Sequence, residues 1–394
     1  MKALLISRFN VPNLGDLVIG DQLYREFSDL MEVDRFSLFG NHDQVRNINK
    51  VFSDKEKWKN YLLETLDNIH LLPLINSYMS SSKKSDNNND LKFFEDRIHS
   101  YDLIIFGGGN MLMSNSDNNT TLNRISDYIT SSRGLNKPVW VVDVGIGPFY
   151  SEDDARNAAS TLNKCDYISF RDEKSYKLFK DYGGNVDKAI VSVDSVLRKE
   201  YSFTRFKKEK VNNRVALNII NSDLIKNNYP NRKITNQNYI ELIAKLLDQD
   251  INVILYTTTR EDNVALSEIY NQFKKDPKVQ KTDVNGLKDI ENLYKSVDLV
   301  IGSRMHSMIL SYVMYTPIVG LSWQSKIDAL FTLIDDEPSK FDLKAFGVDS
   351  SKVLNQINKK INSLDSEQRK IQLILSNIKE KSIDYRELID TLER

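Results

Sequence analysis

The sequence of 394 residues is poor in the residues that build metal and disulfide sites, because it contains one cysteine, Cys165. A single thiol excludes a disulfide framework and a multi-cysteine metal cluster. The four histidines are His42, His70, His99 and His306. None of them forms an H-x-H or H-E-x-x-H pair, so we predict no metal site.

Long apolar runs are also missing. The N-terminal run, residues 3–6, is too short for a signal peptide, and no later stretch approaches the roughly 18 apolar residues of a membrane span. We therefore expect a cytoplasmic protein without a membrane span, and leave open its attachment to the inner face of the membrane. The 54 Lys+Arg nearly balance the 55 Asp+Glu, so nucleic acid is a poor partner and any anion site must be built locally.

Short apolar runs alternate with longer amphipathic stretches, which is typical of an α/β fold with a parallel sheet. The predicted strands are residues 3–7, 35–38, 103–106, 139–142, 167–170, 189–193, 215–220, 253–256, 299–301 and 318–321. This alternation of strands and helices is interrupted once and then resumes. The chain is also longer than a domain with one ordinary hydrophobic core. We predict two Rossmann-like domains that face a cleft, where ligands bind at the carboxyl ends of the strands.

The expected domain bounds follow from this pattern. They are an N-terminal Rossmann-like domain at 1–200, a basic linker at 201–213, a C-terminal Rossmann-like domain at 214–345 and a helical segment at 346–394. The polar tract at 80–90 cannot bury apolar area, so we expect a surface loop there.

The segment 299–321 predicts a strand, a helix and a second strand, with Ser303 as the helix N-cap. Arg304 and His306 then lie in the first helical turn. Positive charge is unfavourable there by about 0.3–1 kcal/mol, because a helix N-terminus carries partial positive charge. A bound anion would reverse this cost. The alternative is a solvated arginine and a histidine satisfied by the protein.

Two further basic residues stand at helix starts after predicted strands: Arg171, before a helix capped by Asp172, and Lys326. Alone, Arg171 is most simply an ion-pair partner of Asp172 or Asp194, and Lys326 a surface lysine. Three helices that follow strands thus each begin with basic residues. Together these residues predict a site for a small, highly charged anion.

Glycines and one acidic residue mark two other strand exits. Gly108, Gly109 and Asn110 belong to an F-G-G-G-N run that allows either close approach of a ligand or a sharp turn. The run lacks the patterns of dinucleotide and ATP sites. Asp16 precedes a helical stretch from about residue 17 and is either its N-cap or a carboxylate that faces the cleft and accepts a proton.

These segments form an ordered series: N-x-G-D (13–16), F-G-G-G-N (106–110), G-I-G-P (145–148), S-F-R-D-x-x-S (169–175), I-G-S-R-M-H-S (301–307), P-I-V-G-L (317–321) and S-K-I (325–327). Together they resemble the polysaccharide pyruvyl transferase family. The resemblance implies a GT-B-like fold whose final helix often returns to the first domain. It also implies transfer of a pyruvyl group from phosphoenolpyruvate to two hydroxyls of a sugar, as a ketal, with release of phosphate.

The resemblance places the family's binding and catalytic residues at Arg171, Arg304, His306 and Lys326. We expect His306 to be the general acid and Asp16 to orient or deprotonate the acceptor, with Gly108, Gly109 and Asn110 in the substrate site. The first domain would bind the saccharide acceptor and the second the donor, without a cofactor. Lipid linkage of the acceptor and homo-oligomerisation stay open. The alternatives are a GT-B-type glycosyltransferase that uses a nucleotide sugar, and a catalytically silent scaffold for polysaccharide assembly.

Overall fold

The computed structural model describes residues 1–39, 42–51, 87–114, 120–206, 210, 213–225, 232–347 and 349–392. These residues form two six-stranded sheets, and helices alternate with the strands along the chain. The α/β fold class predicted from the sequence is confirmed. Within the described ranges, no helix is long and apolar enough to cross a membrane.

The first sheet contains the strands β1 (Lys2–Ser7), β2 (Glu32–Ser37), β3 (Leu103–Leu112), β4 (Val139–Ile146), β5 (Tyr167–Phe170) and β6 (Ala189–Val191). All are parallel, in the order β2-β1-β3-β4-β5-β6. The helices are α1 (Leu14–Ser28), α2 (Asn87–Ile98), α3 (Thr120–Gly134), α4 (Glu152–Leu162) and α5 (Glu173–Asp181). Ala3 and Leu5 enter one core, whereas Leu4 and Ile6 enter another, as in a sheet covered on both faces.

The second sheet contains β7 (Arg214–Asn218), β8 (Asn252–Tyr256), β9 (Val279–Lys281), β10 (Leu299–Gly302), β11 (Ile318–Ser322) and β12 (Lys340–Asp342). Its parallel strands have the order β9-β8-β7-β10-β11-β12, so the direction of strand addition reverses between β7 and β10. The helices are α6 (Phe203–Phe206), which precedes the sheet, and α7 (Arg232–Asp248), α8 (Asn263–Phe273), α9 (Leu287–Lys295), α10 (Met305–Val313) and α11 (Ser325–Leu333). Such a reversal point favours a ligand site beside the helix that follows β10.

The ten predicted strands are all present, although several ends differ. The strand β3 continues through its glycines because Gly107 and Gly109 stay paired with β4. The sequence analysis missed β9 and β12, which have three residues each at sheet edges and no apolar run.

The loop predicted at 80–90 is wrong for residues 87–90, which open α2. Asp90 favours this helix start, and its carboxylate pairs with Arg124 at 2.8 Å. Residues 80–86 lie outside the described residues.

The segment after the second sheet is helical, as predicted, and forms α12 (Ser350–Asn362), α13 (Leu364–Glu380) and α14 (Tyr385–Leu392). The last helix returns to the first domain. The Tyr385 ring lies 4.6 Å from the Phe27 ring, and its hydroxyl donates to the buried carboxylate of Asp143 at 2.9 Å. Asp143 also pairs with Arg198. This buried network anchors the C-terminal segment on the first sheet.

We predict that Tyr385→Phe lowers the free energy of unfolding by about 1–3 kcal/mol, because the ring stays but the buried carboxylate of Asp143 loses a hydrogen-bond donor. Urea denaturation followed by circular dichroism measures the change. The matched control is Leu373→Ala on α13, where the side chain is 63% exposed. That variant should stay within about 0.5 kcal/mol of wild type. Equal stabilities of the two variants would contradict the anchoring role.

Candidate active site

Residues at the carboxyl ends of strands from both sheets line one cavity of about 760 Å³. This volume lies within the roughly 300–1,000 Å³ of typical small-molecule sites. The lining includes six residues predicted from the sequence: Asp16, Asn110, Arg171, Arg304, His306 and Lys326. The fold therefore brings together side chains that are up to 310 positions apart in the chain (326 − 16).

Arg304 occupies the N-cap position of α10, so the prediction that Ser303 caps this helix is wrong. The Ser303 hydroxyl is instead hydrogen bonded to the hydroxyl of Tyr239 at 2.6 Å, in the core. The Arg304 guanidinium donates from Nε and Nη2 to the two carboxylate oxygens of buried Asp262, at 2.8 and 2.7 Å. One edge of the guanidinium is thus fixed, and 24% of the side chain stays exposed.

Arg171 follows β5 and lies in the cavity lining, but its guanidinium is held by the protein. Nη1 donates to Asp194 at 3.2 Å, Nη2 donates to Asn110 Oδ1 at 3.3 Å, and Nε lies 3.7 Å from Asp172. Both predicted ion-pair partners are present, and only 4% of the side chain is exposed. Its donors already face protein oxygens, so the structure has Arg171 as an ion-pair partner, and its predicted contact with substrate stays a prediction. Asp172 also caps α5, as predicted.

His306 lies in the first turn of α10, and its Nε2 is 3.4 Å from Oδ2 of Asp194, a residue of the first domain. Asp194 is buried and accepts a hydrogen bond from the backbone N–H of Val196 at 3.2 Å. Burial opposes ionisation of this carboxyl, but His306, Arg171 and the Val196 N–H outweigh it and hold the pKa of Asp194 well below its ordinary value. Asp194 is therefore an anion that lies between Arg171 of its own domain and the His306 ring of the other.

The other side of the His306 ring packs on the first turn of α1. A Cβ atom placed on Gly15 would lie 2.4 Å from His306 Nδ1, so only glycine leaves room for the imidazole. Asn13 caps α1 by accepting a hydrogen bond from the Gly15 N–H at 3.0 Å. The first domain therefore contacts the imidazole on two sides.

Asp16 is not the N-cap of α1, because Asn13 has that position and the helix begins at Leu14. Its carboxylate lines the cavity instead, which agrees with the alternative that it faces the cleft. Asp16 Oδ2 lies 3.5 Å from Nη1 of Arg8, and Arg8 also donates to the carbonyl oxygen of Asn110 at 3.1 Å. Asp16 is a cleft carboxylate held by a neighbouring arginine.

Lys326 is the second residue of α11 and is partly buried in the cavity lining. Arg8, Arg171 and Arg304 each have an ion-pair partner, whereas no ion pair of Lys326 occurs within the described part of the chain. Burial lowers the pKa of Lys326 to about 7, and the charges of Arg171 and Arg304 act in the same direction. A bound anion would offset the free-energy cost of burying the positive charge of Lys326.

The structure has Gly108 and Gly109 outside the cavity lining, and their predicted contact with substrate stays a prediction. Gly108 and Gly109 both have φ of +74°, which favours glycine, but neither lines the cavity. A Cβ on Gly108 would lie 1.9 Å from Ile19 Cγ2, so this glycine allows α1 to pack closely on β3. Asn110 does line the cavity, and its Nδ2 donates to the carbonyl oxygen of Gly147 at 2.6 Å.

Sequence reasoning missed Arg8, Asp262, Thr258 and Thr259. Arg8 follows β1 as Arg171 follows β5, so the same strand-exit rule indicates it. Thr258 and Thr259 line the cavity after β8. Asp262 gave no signal of its own, because its role depends on the distant Arg304.

Solved structures with a similar fold include HepE from Anabaena in complex with UDP, which is 14% identical, covers 100% of both chains and has a TM-score of 0.57. Another is the UDP-GlcNAc 2-epimerase of Methanocaldococcus jannaschii in complex with UDP-GlcNAc and UDP, at 14% identity and a TM-score of 0.53. That match covers 95% of this chain and 99% of the other. At such identity the likeness concerns the fold, which is GT-B-like. No curated protein matches the chain.

The model of the polysaccharide pyruvyl transferase family matches residues 13–325. The chain therefore belongs to this family, as the ordered motifs indicated. The match begins at the N-x-G-D motif and ends at the start of α11. The activity that the family defines is pyruvyl transfer to polysaccharide.

The lowered pKa of Lys326 predicts that anion binding weakens as the pH rises through about 7, because the lysine is cationic below this value and neutral above it. Sulfate is a suitable probe, since it stays a dianion from mildly acidic to mildly alkaline pH. Calorimetry should show an affinity that is several-fold lower at alkaline pH. Lys326→Met should bind sulfate weakly, with a flatter pH dependence. An equally steep pH dependence in this variant would assign the effect to another group.

Proposed function

We propose that the protein transfers the pyruvyl group of phosphoenolpyruvate to a sugar of a surface or capsular polysaccharide, or of its precursor, forming a ketal and releasing phosphate. The observation that carries this proposal is the shared cavity, in which Arg304, His306 and Lys326 of the second sheet's domain face Arg171 and Asp16 of the first. Membership of the pyruvyl transferase family supports it.

Lys326 and Arg304 are the cations for the donor. Phosphoenolpyruvate carries a carboxylate and a phosphate on a three-carbon frame, so it needs several positive groups close together. Lys326 has no ion-pair partner within the described chain and gains most from a bound anion. Arg304 presents the part of its guanidinium that Asp262 leaves exposed. Both follow strands of the second sheet, which makes this domain the donor side.

His306 is the general acid of the proposed reaction. Its proton goes to C3 of the enol, which makes C2 electrophilic, and a sugar hydroxyl then attacks C2. Loss of phosphate and attack by the second hydroxyl complete the ketal. Of the two hydroxyl protons, one balances the proton added to C3 and the other leaves with phosphate. Imidazole suits this role because it holds and releases a proton near neutral pH.

The acceptor sugar lies on the side of the first domain. Asp16 is the carboxylate that orients or deprotonates its hydroxyl, and Arg8 holds Asp16 in place from 3.5 Å. The chemistry needs neither a redox cofactor nor a metal ion, because no electrons leave the substrates and the cationic side chains stabilise the departing phosphate.

The test is incubation with phosphoenolpyruvate and the glycan precursors of the host, followed by mass spectrometry for a pyruvate ketal and by assay of released phosphate. We expect both products from the wild-type protein. Phosphate release without a ketal, or neither product with every precursor, would contradict the proposal.

We predict that His306→Ala lowers the rate of transfer by about 10²–10⁴-fold, the usual worth of general acid catalysis, without unfolding the protein. Phosphate release measures the rate, and circular dichroism measures the fold. The matched control is His42→Ala, since His42 lies outside the cavity, beside Asp90 at 3.3 Å. A His306 variant that keeps more than about a tenth of wild-type activity would exclude the acid role.

A further inference from the structure

The two ring nitrogens of His306 have different surroundings. Nε2 is buried and faces Oδ2 of Asp194 at 3.4 Å. Nδ1, which one ring carbon separates from Nε2, lies next to Gly15 in the first turn of α1. The side chain is 19% exposed at the cavity, and Nε2 contributes nothing to that exposed surface. Nε2 therefore cannot reach a ligand, which leaves Nδ1 as the candidate nitrogen.

Asp194 is held in place independently of His306. Its Oδ1 accepts a hydrogen bond from the Val196 N–H, and its Oδ2 accepts one from Arg171 Nη1 at 3.2 Å. The same Oδ2 lies 3.4 Å from His306 Nε2, which has no other hydrogen-bond partner among the described residues, so a small adjustment lets the carboxylate accept the Nε2 proton. A histidine nitrogen that faces a fixed carboxylate keeps its proton, and the other nitrogen is then free to exchange one.

We propose that Asp194 is the positioning residue of His306 and that Nδ1 is the nitrogen that delivers the proton to the donor. This inference rests on the proposed function. The electron pair of the enol double bond forms the new C3–H bond with the Nδ1 proton. The imidazole becomes neutral and keeps its other proton on Nε2, where Asp194 accepts it. The proton of the attacking hydroxyl passes to Asp16.

Gly15 has a defined part in this arrangement. A side chain at this position would lie 2.4 Å from Nδ1, so glycine is needed for the imidazole to occupy this place. Asp194 and Gly15 belong to the first domain, whereas His306 belongs to the second. The acid is therefore complete only where the two domains face each other.

The direct test is ¹⁵N NMR of imidazole nitrogens in the wild-type protein, with His306 assigned by comparison with His306→Ala. At a pH where His306 is neutral, we expect the tautomer with its proton on Nε2. The tautomer with its proton on Nδ1 would overturn the proposal. This measurement needs neither an acceptor nor a folded Asp194 variant.

The kinetic test is Asp194→Asn. We expect kcat to fall by about 10²-fold, near the lower bound for general acid catalysis, while the KM for phosphoenolpyruvate changes much less. Arg171 and Lys326 stay in place and cannot replace the lost negative charge.

The matched control is Asp172→Asn, which removes a carboxylate 3.7 Å from the same Arg171 but leaves a residue that also caps α5. It should lose far less activity than Asp194→Asn, and its kcat should stay close to that of the wild-type protein. In the His306→Ala background, Asp194→Asn should cause no further loss. Equal losses in the two Asp variants, or additive losses with His306→Ala, would reduce Asp194 to a structural role. Full activity of His306→Ala would instead contradict the proposed function itself.

Discussion

The buried carboxylate of Asp194 is the interaction on which the site depends. It lies between Arg171 of its own domain and His306 of the other. A carboxylate buried here without partners would be costly, and so would the buried Arg171 guanidinium without this carboxylate. Together they form a stable arrangement that also fixes the relation of the two sheets at the cavity. Arg304 repeats the principle with Asp262, so the site holds its cations by buried carboxylates.

This pairing concentrates the affinity for anions. Within the described chain, Lys326 lines the cavity without an ion-pair partner, and burial disfavours its charge. An anionic donor would bind where the protein itself leaves positive charge uncompensated. Pyruvyl transfer also needs a proton for carbon, and His306 lines the same cavity as this lysine. In the proposed reaction, anion binding and proton delivery therefore belong to separate residues.

The sequence predicted each strand that is an apolar run. Such runs occur because both faces of each sheet are covered, and they alternate clearly with the amphipathic stretches of the helices. The edge strands β9 and β12 were missed, since three residues at an edge need no such run. The basic residues of the site were predicted from their positions after strands, because the carboxyl ends of parallel strands meet at one edge of a sheet. The contact of Asp194 with His306, the pairing of Asp262 with Arg304 and the packing role of Gly108 depend on contacts between distant segments, which a local pattern does not contain.

The central claim of the proposal is that Lys326 and Arg304 hold phosphoenolpyruvate in the cleft between the two domains. Thermal unfolding with separate ligands tests it most directly, because a ligand that binds the folded state stabilises it by RT ln(1 + [L]/Kd), about 2.7 kcal/mol at 100 times Kd. The account predicts that phosphoenolpyruvate raises the unfolding temperature and that UDP or GDP does not. Stabilisation by a nucleoside diphosphate, with no effect of phosphoenolpyruvate, would contradict it and favour a glycosyltransferase that uses a nucleotide sugar.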